Sequence, residues 1–165
     1  MDRCNECGYE YDLGQATSAG QAVVVGADQL GTLLKDKRNE VRGRQEAKTW
    51  SPLDYGCHLR DVLLVQRERV LLARRVERPS LEYMGRDERV DHDGYDEQDP
   101  ADVARQLSDA ARMFEHVLAR LGPSDWERSV MYNYPVLSER SLRWMAVHTL
   151  HEVQHHLLDV ERHLS

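Results

Sequence analysis

The sequence of 165 residues has no apolar run long enough to cross a membrane, and its first residues are polar, unlike a signal peptide. We therefore expect a cytoplasmic protein without a membrane partner. It also lacks a basic stripe, and its formal net charge of −7 argues against nucleic acid as a partner. Cysteine is scarce. In a chain without a signal peptide, the three thiols are expected to be free or metal-bound and not joined in a disulfide bond.

The length and the apolar pattern predict one helical domain. Hydrophobic residues at 41% and charged residues at 31% are typical of a single domain with a core. Helical spacing of apolar residues recurs over about 16–37, 51–75, 99–121 and 138–164. Long connections follow the second and third segments, and the acidic one at 76–99 is expected to be exposed. We predict an all-α four-helix bundle with long crossover connections over 16–165, preceded by a separate segment at 1–15.

The last predicted helix, which Ser138 is expected to cap, is rich in histidine. Five of the eight histidines lie between His148 and His163. On a helical wheel His151 and His155 point away from the core, so their HExxH string, typical of zinc proteases, fits a protease site poorly. The apolar stripe that should face the core comprises Leu142, Ala146, Leu150, Val153, Leu157, Val160 and Leu164.

A metal site inside the bundle is predicted from two residues at the edge of that apolar stripe. Glu152 and His156 lie there one turn apart, so both can bind one ion, and His58 in the second helix is the obvious third ligand. Asp61 and Asp159 are candidate carboxylates for orienting the two histidines, with ordinary solvated helix acids as the equal alternative. A half-turn rotation of the last helix would put His151 and His155 in the place of Glu152 and His156, and the sequence leaves this open.

The N-terminal segment contains a second candidate metal site. Cys4-Asn-Glu-Cys7-Gly8 is a knuckle that can direct two thiolates at one ion, although it supplies only half a site. His151 and His155, on the outer face of the last helix, would complete a Cys2His2 zinc site. The alternative is an unremarkable or redox-active cysteine pair on a loose terminus.

Two motifs are more specific than these periodicities. They are Trp50-Ser51-Pro52-Leu53 with His58-Leu59-x-Asp61-Val62, and Arg143-Trp144 with Val147-His148 and Glu152-x-x-x-His156-x-x-Asp159. From Ala16 onward the chain resembles the DinB-like superfamily of metal-binding four-helix bundles, which includes thiol-dependent S-transferases and mycothiol-dependent maleylpyruvate isomerases. The resemblance implies that His58, Glu152 and His156 are the metal ligands. Many members end in His-Arg-Gly-Gln where this chain has His156-Leu-Leu-Asp159, which leaves the subfamily open, and the knuckle lies outside the family pattern.

The resemblance implies a zinc-activated thiol chemistry. The expected cofactor is a divalent metal, zinc first with nickel or iron as alternatives, and a small thiol that attacks a small electrophile. Mycothiol is the natural thiol if the excess of arginine over lysine reflects an actinobacterial source. Arg60, Arg67 and Arg69 are candidates for a basic pocket around an acidic thiol conjugate. The alternatives are a hydrolase that uses a metal-bound water and a non-catalytic bundle, held by structural zinc, that serves assembly. A homodimer is compatible with each alternative.

Overall fold

Four long helices form the frame of the protein. The computed structural model describes residues 3–37, 39–46, 49–134 and 136–165. The long helices are α1 (Ala19–Asp36), α2 (Pro52–Arg75), α4 (Pro100–Ala119) and α6 (Leu142–Leu164), and the short helices are α3 (Arg86–His92) and α5 (Pro123–Trp126). Helix α4 packs against α1 and α2, and α6 packs against the same two helices. The predicted four-helix bundle is confirmed.

The start of α2 follows from local chemistry. The Ser51 hydroxyl accepts a bond from the backbone N–H of Asp54 at 3.1 Å, and the Asp54 carboxylate accepts one from the backbone N–H of Ser51 at 3.0 Å. Pro52 occupies the first helical position, where no N–H is needed. This reciprocal cap fixes the phase of the helix, which buries His58 two turns later.

The last helix begins later than predicted. Ser138 does not cap it, because residues Leu137–Ser141 form a strand, β2, that pairs antiparallel with β1 (Ser129–Asn133). Val130 and Tyr132 on β1 are buried and alternate with more exposed residues, which is the period of a strand. The Ser141 hydroxyl then accepts from the backbone N–H of Trp144 at 3.2 Å and caps α6.

The acidic connection after α2 is more ordered than predicted. It contains α3 and a 3-10 turn at Tyr95–Glu97. Tyr95 is fully buried and belongs to the hydrophobic core. Most of the connection is exposed or half-buried, as predicted, but Leu81 and Tyr95 are buried and anchor it to the bundle.

Helix α6 lies deep in the bundle. Its apolar stripe from Leu142 to Val160 is buried as the helical wheel predicts. A Cβ atom at Gly26 of α1 would lie 2.7 Å from Cγ1 of Val153, so the absence of a side chain there permits the close approach of α1 and α6. In the described part of the chain, every helix is too short or too polar to cross a bilayer.

Candidate metal centres

His58, Glu152 and His156 meet where α2 faces α6. Each offers one ligand atom, and the three atoms lie within 4.8 Å of one another. The rings of His58 and His156 are 5.2 Å apart between centroids, and Nε2 of His156 is 3.8 Å from Oε2 of Glu152. These atoms are too far apart to form hydrogen bonds with one another, and their spacing leaves room for one ion between them.

The protonation states of these residues suit a cation. Burial, followed by the charge of His156, lowers the pKa of His58 to about 3, so its imidazole is neutral. Among the described residues, none forms a hydrogen bond with Nδ1 of His58 although that atom is buried. Burial raises the pKa of Glu152, but the histidines around it, His148 foremost, hold it below its usual value. A buried nitrogen without a partner beside an anionic carboxylate fits a metal of the zinc class.

Asp159 lies where the sequence places it. Its Oδ2 is 3.1 Å from Nδ1 of His156, which leaves Nε2 of that ring free to face Glu152. The same oxygen is 3.5 Å from Nε2 of His155. One carboxylate therefore contacts a histidine of each candidate site.

The prediction for Asp61 requires correction. In the described part of the chain its carboxylate accepts bonds from Nε of Arg60 at 2.9 Å, Nη1 of Arg89 at 3.1 Å and the hydroxyl of Tyr95 at 2.7 Å, and it does not bond to His58. The reason is the ordered connection, which supplies two of the three donors. Asp61 fastens that connection to α2 and does not orient a metal ligand.

The second predicted cluster also comes together. Sγ of Cys4 lies 3.8 Å from Nδ1 of His155, and Sγ of Cys7 lies 3.4 Å from Nε2 of His151. Both histidines occupy the outer face of α6, as the wheel predicts, but the N-terminal segment covers them and leaves His151 only 6% exposed. The structure thus brings these histidines to the cysteines, and it brings Glu152 and His156 to His58. His151 also lies near His148 and Glu152, and His155 lies near His156 and Asp159.

A pocket opens beside the first cluster. The pocket is partly open to solvent and reaches the side chains of His58 and Glu152. Its lining residues are His58, Val62, Gln66, Arg69, Tyr83, Met84, Arg86, Tyr132, Asn133, Tyr134, His148 and Glu152. Of the predicted arginines only Arg69 lines it, and its spacing of eleven residues from His58 places both on one face of α2. Arg60 bonds to Asp61 and Asp93 instead, and Arg67 pairs with Glu68.

Arg86 was missed by the sequence analysis. It is the first residue of α3, within the connection that was predicted to be exposed, and its guanidinium lies 5.8 Å from the ring of Trp50. Arg86 and Arg69 together give the pocket two cationic side chains. No local sequence signal identifies Arg86, because its position depends on how the connection folds back.

Comparison with known proteins supports the fold. The model of the DinB superfamily matches residues 29–160. The structure is similar to that of YfiT from Bacillus subtilis, described as a probable metal-dependent hydrolase with an unusual four-helix bundle topology. The TM-score is 0.72 at 13% sequence identity, over 87% of this chain and 85% of YfiT. No curated protein sequence matches the chain.

Proposed function

The chain belongs to the DinB superfamily, and we propose that it is a metal-dependent enzyme with His58, Glu152 and His156 as its metal ligands. The observation that carries the proposal is the neutral, buried His58, whose Nδ1 has no partner among the described residues, beside an anionic Glu152 at the wall of a pocket. A divalent ion, zinc first with nickel or iron as alternatives, would deprotonate a thiol or water near neutral pH. Three protein ligands leave a coordination position for such a group.

The side chains that line the pocket restrict the chemical class of the substrate. The guanidinium groups of Arg69 and Arg86 line it and favour a substrate that carries a carboxylate or another anionic group. Tyr83, Tyr132 and Tyr134 line the pocket and give it aromatic surface against which a substrate can pack. These features describe a site for a small anionic electrophile.

Thiol S-transfer is the reaction that we favour for this pocket. A low-molecular-weight thiol of the mycothiol class would lose its proton to solvent, and its sulfur would bond to the electrophilic carbon. A leaving group would depart with the bonding electron pair, or, in an isomerisation, the sulfur would itself leave after rotation about the attacked bond. Hydrolysis is the second candidate, favoured by the structural similarity to YfiT and its description as a probable metal-dependent hydrolase.

Cobalt substitution in a Cys4→Ser/Cys7→Ser variant separates these candidates. This variant removes the N-terminal thiols, so any thiolate-to-cobalt absorption must come from an added thiol. We expect a low-molecular-weight thiol to produce that near-ultraviolet band, and we expect the band to be absent when His58→Ala is added. A small unsaturated acid should then be consumed only in the presence of the thiol. Thiol-independent cleavage of a 4-nitrophenyl ester without the band would indicate hydrolysis, and no turnover at all would indicate a non-catalytic bundle.

Asp159→Ala is expected to weaken zinc binding at the site of His58, Glu152 and His156 by about 10- to 100-fold. The substitution removes the acceptor for Nδ1 of His156, which fixes the ring orientation that leaves Nε2 free. Zinc affinity is measured by competition with a chromophoric chelator. Glu161→Ala, an exposed acid on the same helix, is the matched control. Equal losses in the two variants would mean that helix charge alone, and not the bond to His156, determines the affinity.

A further inference from the structure

The N-terminal turn holds its two cysteines in a fixed arrangement. The backbone N–H of Gly8 donates to the carbonyl of Cys4 at 2.9 Å, and the N–H of Cys4 donates to the carbonyl of Tyr9 at 2.8 Å. Gly8 has a φ of 77°, a conformation that favours glycine. Both cysteines are unpaired, and Cys4 is buried. A tight turn therefore presents two thiols to the outer face of α6.

The distances agree with a tetrahedral zinc site. Zinc bonds of about 2.3 Å to sulfur and about 2.05 Å to nitrogen place a sulfur and a nitrogen about 3.6 Å apart. The two observed sulfur–nitrogen separations, Cys7 to His151 and Cys4 to His155, are 3.4 and 3.8 Å. All four donor atoms lie within 4.8 Å of one another. The side chains are thus already spaced as zinc ligands.

The second nitrogen of each histidine has a partner that fixes its tautomer. Nδ1 of His151 lies 2.9 Å from the hydroxyl of Tyr11, so Nε2 is the atom that faces Cys7. Nε2 of His155 lies 3.5 Å from Asp159 and 3.4 Å from Glu6, so Nδ1 faces Cys4. Histidine ligands of zinc usually donate their other N–H to an oxygen in this way.

We propose that Cys4, Cys7, His151 and His155 bind a structural zinc ion that fixes the N-terminal segment to α6. The site is separate from that of His58, Glu152 and His156. Four protein ligands leave no coordination position for a substrate, which distinguishes a structural site from a catalytic one.

This zinc would also fix the positions of the protons on the side chains next to Glu152. With zinc on Nε2, His151 keeps its proton on Nδ1 and donates it to the hydroxyl of Tyr11. Tyr11 must then donate its own proton to Nδ1 of His148, 2.8 Å away. His148 in turn keeps its proton on Nε2, 3.9 Å from Oε1 of Glu152. One structural ion thus sets the proton positions of a chain that ends at the other metal site.

Zinc content of the untagged, full-length protein tests the proposal. Cys4→Ser/Cys7→Ser is expected to lose one zinc per chain relative to wild type, whereas Cys57→Ser, which alters a buried cysteine outside the site, loses none. The thiolate-to-cobalt band should persist in His58→Ala and disappear in Cys4→Ser/Cys7→Ser. Tyr11→Phe should weaken the site about 10- to 100-fold. Retention of all zinc by the double serine variant would overturn the proposal.

A measurement on wild-type protein covers the case in which the double variant fails to fold. A mercurial reagent is titrated against the native thiols while a zinc indicator records release. We expect one zinc to be released as two thiols react, and two reacting thiols without zinc release would contradict the site. Repeating the titration with His58→Ala distinguishes a failure of this proposal from a failure of the proposed function, because His58 contributes only to the other site.

Discussion

His58→Ala is expected to abolish metal binding at the site of Glu152 and His156 and to lower the proposed activity at least about 1,000-fold. The imidazole is buried and neutral, and no other His, Cys, Asp or Glu of α2, all of which the structure describes, joins this cluster, so alanine leaves two of three proposed ligands. Metal-ion catalysis contributes several kcal/mol to transition-state stabilisation, and each 1.36 kcal/mol corresponds to about tenfold in rate. The zinc bound by Cys4, Cys7, His151 and His155 should remain.

The experiment combines elemental analysis with turnover of the thiol-dependent substrate. His92→Ala is the matched control, because that histidine ends α3 on the exposed surface and its loss changes the histidine count without touching a cluster. Far-ultraviolet circular dichroism shows whether the bundle persists in both variants. A His58→Ala protein that retained its full zinc content and its activity would remove the basis of the proposed function.

The meeting of His58, Glu152 and His156 could be predicted because it depends on local periodicity. Ser51 and Pro52 fix the phase of α2 through contacts within four residues, so the depth of His58 follows from its distance to the cap. On α6 the apolar stripe fixes which residues face α2, and Glu152 and His156 lie on its shoulder. Helical phase alone therefore brings these three side chains to a shared gap.

The hairpin and the true start of α6 could not be predicted in the same way. β2 is polar and partly exposed, and it is a strand only because β1 pairs with it through backbone bonds that carry no strong side-chain signal. Ser138 and Ser141 are equally good caps in isolation. Strand pairing uses the backbone around Ser138, so the helix begins at the second serine.

The folding of the acidic connection depends on contacts remote in sequence. Tyr95 and Arg89 both bond to Asp61, which lies about thirty residues before them on α2. These bonds place α3 so that Arg86 reaches the pocket. The charge of the pocket is therefore a tertiary property, whereas the positions of His58, Glu152 and His156 follow from helical phase.

Acid is expected to remove the N-terminal zinc before the zinc held by His58, Glu152 and His156. Zinc binds thiolates, so loading Cys4 and Cys7 displaces two thiol protons, and affinity falls by about 100-fold for each pH unit below the thiol pKa values. Burial raises the pKa of Cys7, which moves the onset of this loss to higher pH. Burial also lowers the pKa of His151 to about 4, so this ring adds no competing proton near neutral pH.

The other site should show a shallower slope. In its empty state the pKa of His58 is about 3 and that of Glu152 is below its usual value, so neither holds a proton between about pH 8 and about pH 5.5. This site contains no thiol, so metal binding there displaces fewer protons, and its affinity should fall less steeply with acid than that of the N-terminal site. Zinc affinity is measured against pH in His58→Ala, which retains the N-terminal site, and in Cys4→Ser/Cys7→Ser, which retains the site of His58, Glu152 and His156. Equal slopes would contradict the ligand assignment, because each slope counts the protons that zinc displaces and so reports the ligands directly, without reference to any substrate.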